Sequence, residues 1–253
     1  MRLDLYLVDN GYYKSRENAK LAIENNLVKI DGNVVNKPSF NYTKGEITVS
    51  EVLKFVSRGG YKLEEAINAF YLDFKDKTIV DIGSSTGGFT DCSIQYGAKL
   101  VYAIDIGTDQ LDPRLLSNPK VISMEQTNFL DIEGFDTNID FYVSDVSFIS
   151  IKRILKHLDE LNANDIVILI KPQFEVEPKY LNKNGVLKDR SKHYDVLKDI
   201  NDYINSINYK IHKITPSPIK GKSGNIEYLA YIKRSSNSNI DLYLTIKKAF
   251  GVD

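Results

Sequence analysis

The 253-residue sequence predicts an α/β protein with a largely parallel sheet, preceded by a small α+β unit, and three observations carry that prediction. From Lys77 onward, short apolar strands recur about every 20 to 25 residues with helical stretches between them, the rhythm of right-handed β-α-β units. A glycine-rich turn, Asp81 to Thr90, lies between the first of these strands and the helix after it. Residues 1 to 50 lack the rhythm and read as helix, helix and hairpin.

Leu3 to Val8 is a short apolar helix that Gly11-Tyr12-Tyr13 breaks, and Ser15 is placed to N-cap a second helix reaching about Asn26. Leu27 to Ile30 and Val34-Val35 flank Asp31-Gly32-Asn33, whose Asp-Gly pair supplies the positive φ angles of a tight hairpin. A further strand spans Glu46 to Val49. Residues 51–60, with Ser57-Arg58-Gly59-Gly60, read as an interdomain linker or helix start, and a helix runs from Tyr61 to Phe70. The expected division is therefore 1–50, 51–60 and 61–253.

The repeating strands are Thr78 to Ile82, Leu100 to Asp105, Val121 to Met124, Phe141 to Asp145 and Ile166 to Lys171. Their continuous apolar character fits strands covered on both faces. Tyr209 to Ile214 and Glu227 to Ile232 follow more closely and fit an antiparallel pair at one edge.

Composition excludes several function classes. Hydrophobic residues make up 42% and charged residues 26%, a globular mix that argues against a disordered or fibrous chain. The best apolar run, Ile166 to Ile170, is far short of the roughly 20 residues of a membrane span. The charged Met1-Arg2-Leu3-Asp4 start is unlike a signal peptide, so a soluble cytoplasmic protein is expected. A single cysteine, Cys92, excludes an internal disulfide and a cysteine metal cage, and no metal is expected. The net charge of −1 is silent about nucleic acid, but Tyr203 to Ile226 has no acidic residue and contains Lys210, Lys213, Lys220 and Lys222. Such a block is either a phosphate-binding patch or a solvated strand and loop.

In an open α/β sheet, ligands bind outside the carboxyl ends of the strands. The turn Asp81-Ile82-Gly83-Ser84-Ser85-Thr86-Gly87-Gly88-Phe89 does not match G-x-G-x-x-G, because Ser84 and Ser85 follow Gly83. Its D-x-G-x-x-x-G pattern resembles motif I of S-adenosylmethionine methyltransferases. Asp105, 24 residues after Asp81, stands where an acid accepts ribose hydroxyls. Strand topology brings Asp145, Lys171 and Glu227 to the same rim, either as a structural ion-pair network or as a site. The sequence Asp145-Val146-Ser147-Phe148 lacks the prolines used in methyl transfer to base amines, and Cys92 is poorly placed for transfer to a pyrimidine carbon. A lysine flanked by carboxylates suits transfer to a ribose hydroxyl, which must lose its proton; a second lysine would help lower the first one's pKa. Phe148 and Phe174 flank this acid and lysine, either as core or as stacking surfaces for an extruded nucleotide.

Several long blocks, in order along nearly the whole chain, resemble the TlyA or hemolysin A family of ribosomal RNA 2′-O-methyltransferases. They include Met1 to Asp4 with Ser15-Arg16, Val56 to Leu63, Asp81 to Asp91, Ser144 to Ser150, Ile170 to Glu175 and Lys220 to Tyr228. The resemblance implies an S4-like RNA-binding domain and a Rossmann-like, FtsJ-like S-adenosylmethionine methyltransferase domain. It implies a catalytic tetrad of Lys62, Asp145, Lys171 and Glu227, with Lys171 as general base. It implies cofactor contacts at Asp81, Gly83, Ser84, Ser85, Thr86, Gly87, Gly88, Phe89, Asp105 and Asn128. The implied substrates are cytidines of 16S rRNA, 23S rRNA or both, within ribosomal subunits. Residues 1 to 50 hold seven basic and six acidic residues, and Arg2, Arg16, Lys20 and Lys37 are the expected phosphate contacts there, joined by Arg58, Lys220 and Lys222. The competing readings are a hemolysin-associated protein without direct catalysis and a silent RNA-binding assembly factor. The intact tetrad argues against the second.

Overall fold

The computed structural model describes residues 1–13, 16–24, 26–49, 54–221, 223–234 and 240–251, with the side chains of residues 17 and 21 left aside. The chain forms two compact units, Met1–Arg58 and Gly59–Asp253. Ser15, expected as a helix cap, and Lys222, expected as an RNA contact, lie outside the described residues, as do residues 51–53 of the expected linker.

In the first unit, helices α1 (Leu3–Asp9) and α2 (Arg16–Glu24) accompany a small antiparallel sheet of order β2-β1-β3, formed by β1 (Val28–Ile30), β2 (Asn33–Val34) and β3 (Ile47–Val49). Asp31 and Gly32 have φ of 49° and 78°, the left-handed pair that the hairpin requires. Leu3, Leu7, Ala19, Ile23, Val28 and Ile30 close a core of their own. One charge is buried with them. The Asp4 carboxylate accepts from Arg2 Nε (2.9 Å) and Nη2 (3.0 Å) and from Arg16 Nε (2.9 Å). The Arg2 guanidinium, with Arg16 in support, holds the Asp4 pKa at about 2 against the opposing effect of burial.

The second unit begins with α3 (Gly59–Phe70), so Gly59 and Gly60 belong to the helix's first turn rather than to a linker. Strands β4 (Thr78–Ile82), β5 (Leu100–Ile104), β6 (Val121–Met124), β7 (Phe141–Ser144), β8 (Asp165–Ile170), β9 (Lys210–Pro216) and β10 (Tyr228–Lys233) form one sheet of order β6-β5-β4-β7-β8-β10-β9. The first five are parallel. β9 and β10 form the expected antiparallel pair at one edge of the sheet, and β10, its inner member, also runs antiparallel to β8. The reason is apolar: Tyr228, Leu229, Ala230 and Ile232 are all buried and need cover on both faces. Helices α4 (Gly88–Gln95), α5 (Pro113–Leu116), α6 (Ile151–Glu160), α7 (Arg190–Ser206) and α8 (Leu242–Phe250) complete the unit. Ile154, Leu158, Leu197, Ile200 and Ile204 pack with Ile166, Ile168 and Ile170 in one core. The strand order reverses between β4 and β7, and a crevice for ligands is expected at their carboxyl ends.

Two lysines of the acid-free stretch serve the fold. Lys210 donates to Asn205 Oδ1 (2.8 Å), and Lys213 donates to the Phe70 carbonyl at the end of α3 (2.8 Å).

The Asp4 pKa is depressed on folding, so its stabilisation is full above the ordinary carboxylate range and fades as pH falls through about 4 toward 2. Melting followed from pH 5 to pH 2 is expected to show the first unit losing stability, and Asp4→Asn is expected to flatten that dependence while lowering the melting temperature at pH 7.

Candidate active site

The glycine turn leaves β4 at the point of strand reversal. The Gly83 and Ser84 amides donate to the Ile104 carbonyl (2.9 and 3.0 Å), which ties the turn to β5. Ser85 N donates to Asp105 Oδ2 (2.8 Å) and Gly107 N to Asp105 Oδ1 (2.7 Å), so Asp105 is held rigidly at the end of β5. Gly87 caps α4 with φ 90°, and a Cβ there would fall 2.3 Å from Leu115 Cδ1, so no other residue fits. The capping residue offers α4 no side chain, which leaves the Gly88 and Phe89 amides for a ligand, while the Thr90 amide serves Asp81. Gly88 and the Phe89 ring are buried in that first turn, so Phe89 can offer its backbone but not its ring. Thr86 accepts from Asp112 N through its carbonyl (3.3 Å).

Asp81 is wholly buried. Its Oδ2 accepts from Thr90 Oγ1 (2.6 Å), while its Oδ1 has no partner. Burial pushes its pKa up to about 7, against the Thr90 hydrogen bond. An orphaned buried carboxylate oxygen asks for a donor, and a ligand ammonium would supply one. Asn128 is exposed, and its Oδ1 accepts from Leu130 N (3.2 Å) to cap a short 3₁₀ turn. Ile106, 75% exposed directly after Asp105, offers an apolar face that the sequence pattern did not single out. Together these features fit a cofactor with an ammonium, a ribose and an apolar ring.

Beside the turn, four charged side chains from four elements meet. Lys62 of α3 donates to Glu227 Oε2 (2.8 Å) and Asp145 Oδ2 (3.3 Å). Lys171 Nζ lies 2.7 Å from Asp145 Oδ1. Lys62, Lys171 and Glu227 are buried. Burial lowers the Lys62 pKa, but Asp145 and Glu227 outweigh it and leave a net rise, so Lys62 is a fixed cation.

Two residues extend this line and were missed. Lys171 Nζ donates to Ser147 Oγ (2.7 Å), and Gln173 Nε2 donates to Glu227 Oε1 (3.0 Å). No periodic signal marks them: Ser147 lies in the loop after β7 and Gln173 in a 3₁₀ turn that follows Lys171, and only the packed chain brings them to the cluster. Gly221 is a third. A Cβ there would fall 2.4 Å from Glu227 Oε1, so its backbone walls the carboxylate. Phe148 is 91% exposed at φ 63°, with its ring 5.0 Å from that of Phe174. Lys171 Nζ sits 5.8 Å from the Phe174 ring. The core alternative therefore fails for Phe148.

A family model for FtsJ-like methyltransferase matches residues 55–234, and one for the S4 domain matches residues 1–47. The chain belongs to the FtsJ-like methyltransferase family. It is 42% identical over 237 residues to hemolysin A of Brachyspira hyodysenteriae, covering 91% of this chain and 99% of that protein. It is 32% identical over 243 residues to the 16S/23S rRNA (cytidine-2′-O)-methyltransferase TlyA of Mycobacterium tuberculosis, covering 93% and 91%. These relatives share both units, and the chain is a member of their TlyA or hemolysin A group. The solved structure of a Streptococcus thermophilus protein described as a hemolysin matches with a TM-score of 0.78 at 36% identity, covering 99% of this chain and 96% of that one. Among the described residues, no helix is long and apolar enough to cross a membrane, and no group of three or more His, Cys, Asp or Glu could hold a metal ion.

The expected RNA contacts are dispersed. Arg2 and Arg16 are tied to Asp4 but partly exposed, Lys37 and Lys220 are exposed, and Lys20 and Arg58 are half-buried.

Gly221→Ala is expected to displace Glu227 and lower methyl-transfer turnover roughly 10- to 100-fold, since misplacing a reacting group by about 1 Å costs on that order. Cofactor affinity and melting temperature are expected to stay near those of the parent chain, which calorimetry and thermal melting would check.

Proposed function

We propose that this protein is an S-adenosylmethionine-dependent ribosomal RNA (cytidine-2′-O)-methyltransferase working on ribosomal subunits in the cytoplasm. The observation that carries the reading is the Lys62–Asp145–Lys171–Glu227 cluster beside a glycine turn with an orphaned buried carboxylate oxygen. S-adenosylmethionine would supply an electrophilic methyl group. Asp81, the first amides of α4, Asp105 and Ile106 are the groups suited to hold its ammonium, carboxylate, ribose and adenine, with Asn128 at the rim.

The target oxygen is a weak nucleophile until its proton leaves. Lys171 in its neutral form takes that proton on Nζ. Asp145 and Ser147 hold Nζ from two sides and aim it. Lys62 stays charged and fixes the Asp145 and Glu227 carboxylates in place, so Glu227 can accept from a ribose hydroxyl. Phe148 supports an RNA substrate in particular. A bulky residue at positive φ costs about 1–3 kcal/mol, and such strain concentrates at functional sites. An exposed ring beside the base-to-be-activated ribose suits stacking on an extruded nucleobase.

Purified protein incubated with methyl-labelled S-adenosylmethionine and separate 30S and 50S subunits lacking the modification is expected to yield labelled 2′-O-methylcytidine in one subunit or both. Lys171→Ala is expected to lose about 10²- to 10⁴-fold in rate while still binding cofactor; turnover at the parent rate would refute the role given to Lys171. Phe148→Ala is expected to lower kcat/KM roughly 5- to 150-fold, the scale of one lost base stack, without loss of stability.

A further inference from the structure

Residues 181–188 form a compact turn that nothing above uses. Leu181 bridges Leu187, Asn182 N donates to the Val186 carbonyl (3.0 Å), and Asn182 Oδ1 accepts from Asn184 N (2.8 Å) and Val186 N (3.0 Å). Asn225 staples this turn to the segment entering β10. Its Oδ1 accepts from Leu187 N (2.9 Å), its Nδ2 donates to the Gly185 carbonyl (3.0 Å), and its own carbonyl accepts from Gly221 N (2.9 Å). Asn225 is only 3% exposed, so these are buried and fully used groups. The turn is thereby fixed to the same backbone that walls Glu227.

Neighbouring lysines are paired: Lys179 with Glu177, Lys192 with Asp195, Lys198 with Asp202. Lys183 and Lys188 of the turn, and Lys220 of the stapled segment, are exposed and have no ion pair among the described residues. Residues 178–188 contain no carboxylate, and neither do residues 203–226. Asn225 thus fastens two acid-free stretches to one another, the first bounded by Glu177 and Asp189 and the second ending at Glu227. A rigid mount for unpaired lysines suits a polyanion whose charges are spaced along a backbone.

We propose that this stapled turn is an RNA backbone contact, with Lys183 and Lys188, beside Lys220, binding phosphodiesters of the strand that flanks the target nucleotide. The proposal rests on the RNA-methylation reading above and adds to it a docking surface on the catalytic unit.

The test uses the full chain and three forms: the parent, Lys183→Gln with Lys188→Gln, and a control with Lys75→Gln and Lys99→Gln. The control lysines are exposed and closely precede β4 and β5, at the amino ends of the strands, whereas the crevice lies at their carboxyl ends. Binding to 30S and 50S subunits, and to protein-free rRNA extracted from them, is measured across a salt series. Two lost phosphate contacts are expected to reduce the slope of log K against log salt by about 1.5 and to raise KM for RNA about 10-fold. kcat at saturating RNA, cofactor affinity and melting temperature are expected to match the control. A slope and KM equal to the control's overturn the proposal. So does a loss confined to intact subunits with none on protein-free rRNA, which would assign the turn to a ribosomal protein. Failure of the underlying reading shows separately, as parent chain that binds cofactor and labels no RNA.

Discussion

Asp145 is shared by two buried ammonium groups, and the rest of the catalytic unit is arranged around that sharing. Two lysines brought together out of water repel one another, and each is costly to bury unpaired. Asp145 sits between them at the end of β7, and Glu227 relieves Lys62 from the other side. The arrangement needs α3, β7, β8 and β10 to end at one place. Inserting β10 antiparallel beside β8 accomplishes this, because an antiparallel strand begins where its parallel neighbours finish. Removing any one partner leaves an uncompensated charge, so the cluster behaves as a unit rather than as four separable contributions.

The sharing also divides labour between chemically equal side chains. Lys62 faces two carboxylates and is held charged, while Lys171 faces one carboxylate and one hydroxyl and has the Phe174 ring nearby. Asp81, at the glycine turn, has an orphaned oxygen and a pKa raised chiefly by burial, with the Asp145 and Asp105 carboxylates adding to the rise.

Charge on the surface follows a different logic. The chain is nearly neutral, and its first unit is barely positive. Lys183, Lys188 and Lys220 are set apart by carrying no ion pair among the described residues rather than by an excess of lysine. Acid-free segments far apart in sequence are joined by Asn225, and the Asp4 carboxylate holds Arg2 and Arg16 together in the first unit. A sum over the chain cannot register either arrangement.

The sequence by itself determined the strand order of events: each parallel strand of the catalytic unit falls within a residue of its apolar run, and the Asp31-Gly32 hairpin follows from local backbone energetics. It also determined Asp145, Lys171 and Glu227 as neighbours, since strand ends in a parallel sheet share one rim. Lys62 entered only through family resemblance, because a helix before the first strand carries no topological address. Only the tertiary structure decided the rest. It chose helix start over linker for Gly59 and Gly60 and made β10 the inner strand of the edge pair, where burial on both faces requires it. It assigned Lys210 and Lys213 to structural duty, exposed Phe148, and brought Ser147, Gln173 and Gly221 against the charged cluster. Periodicity and turn chemistry are local and are written in short windows. Which groups share a buried charge depends on contacts between distant segments, and only the packed chain specifies those.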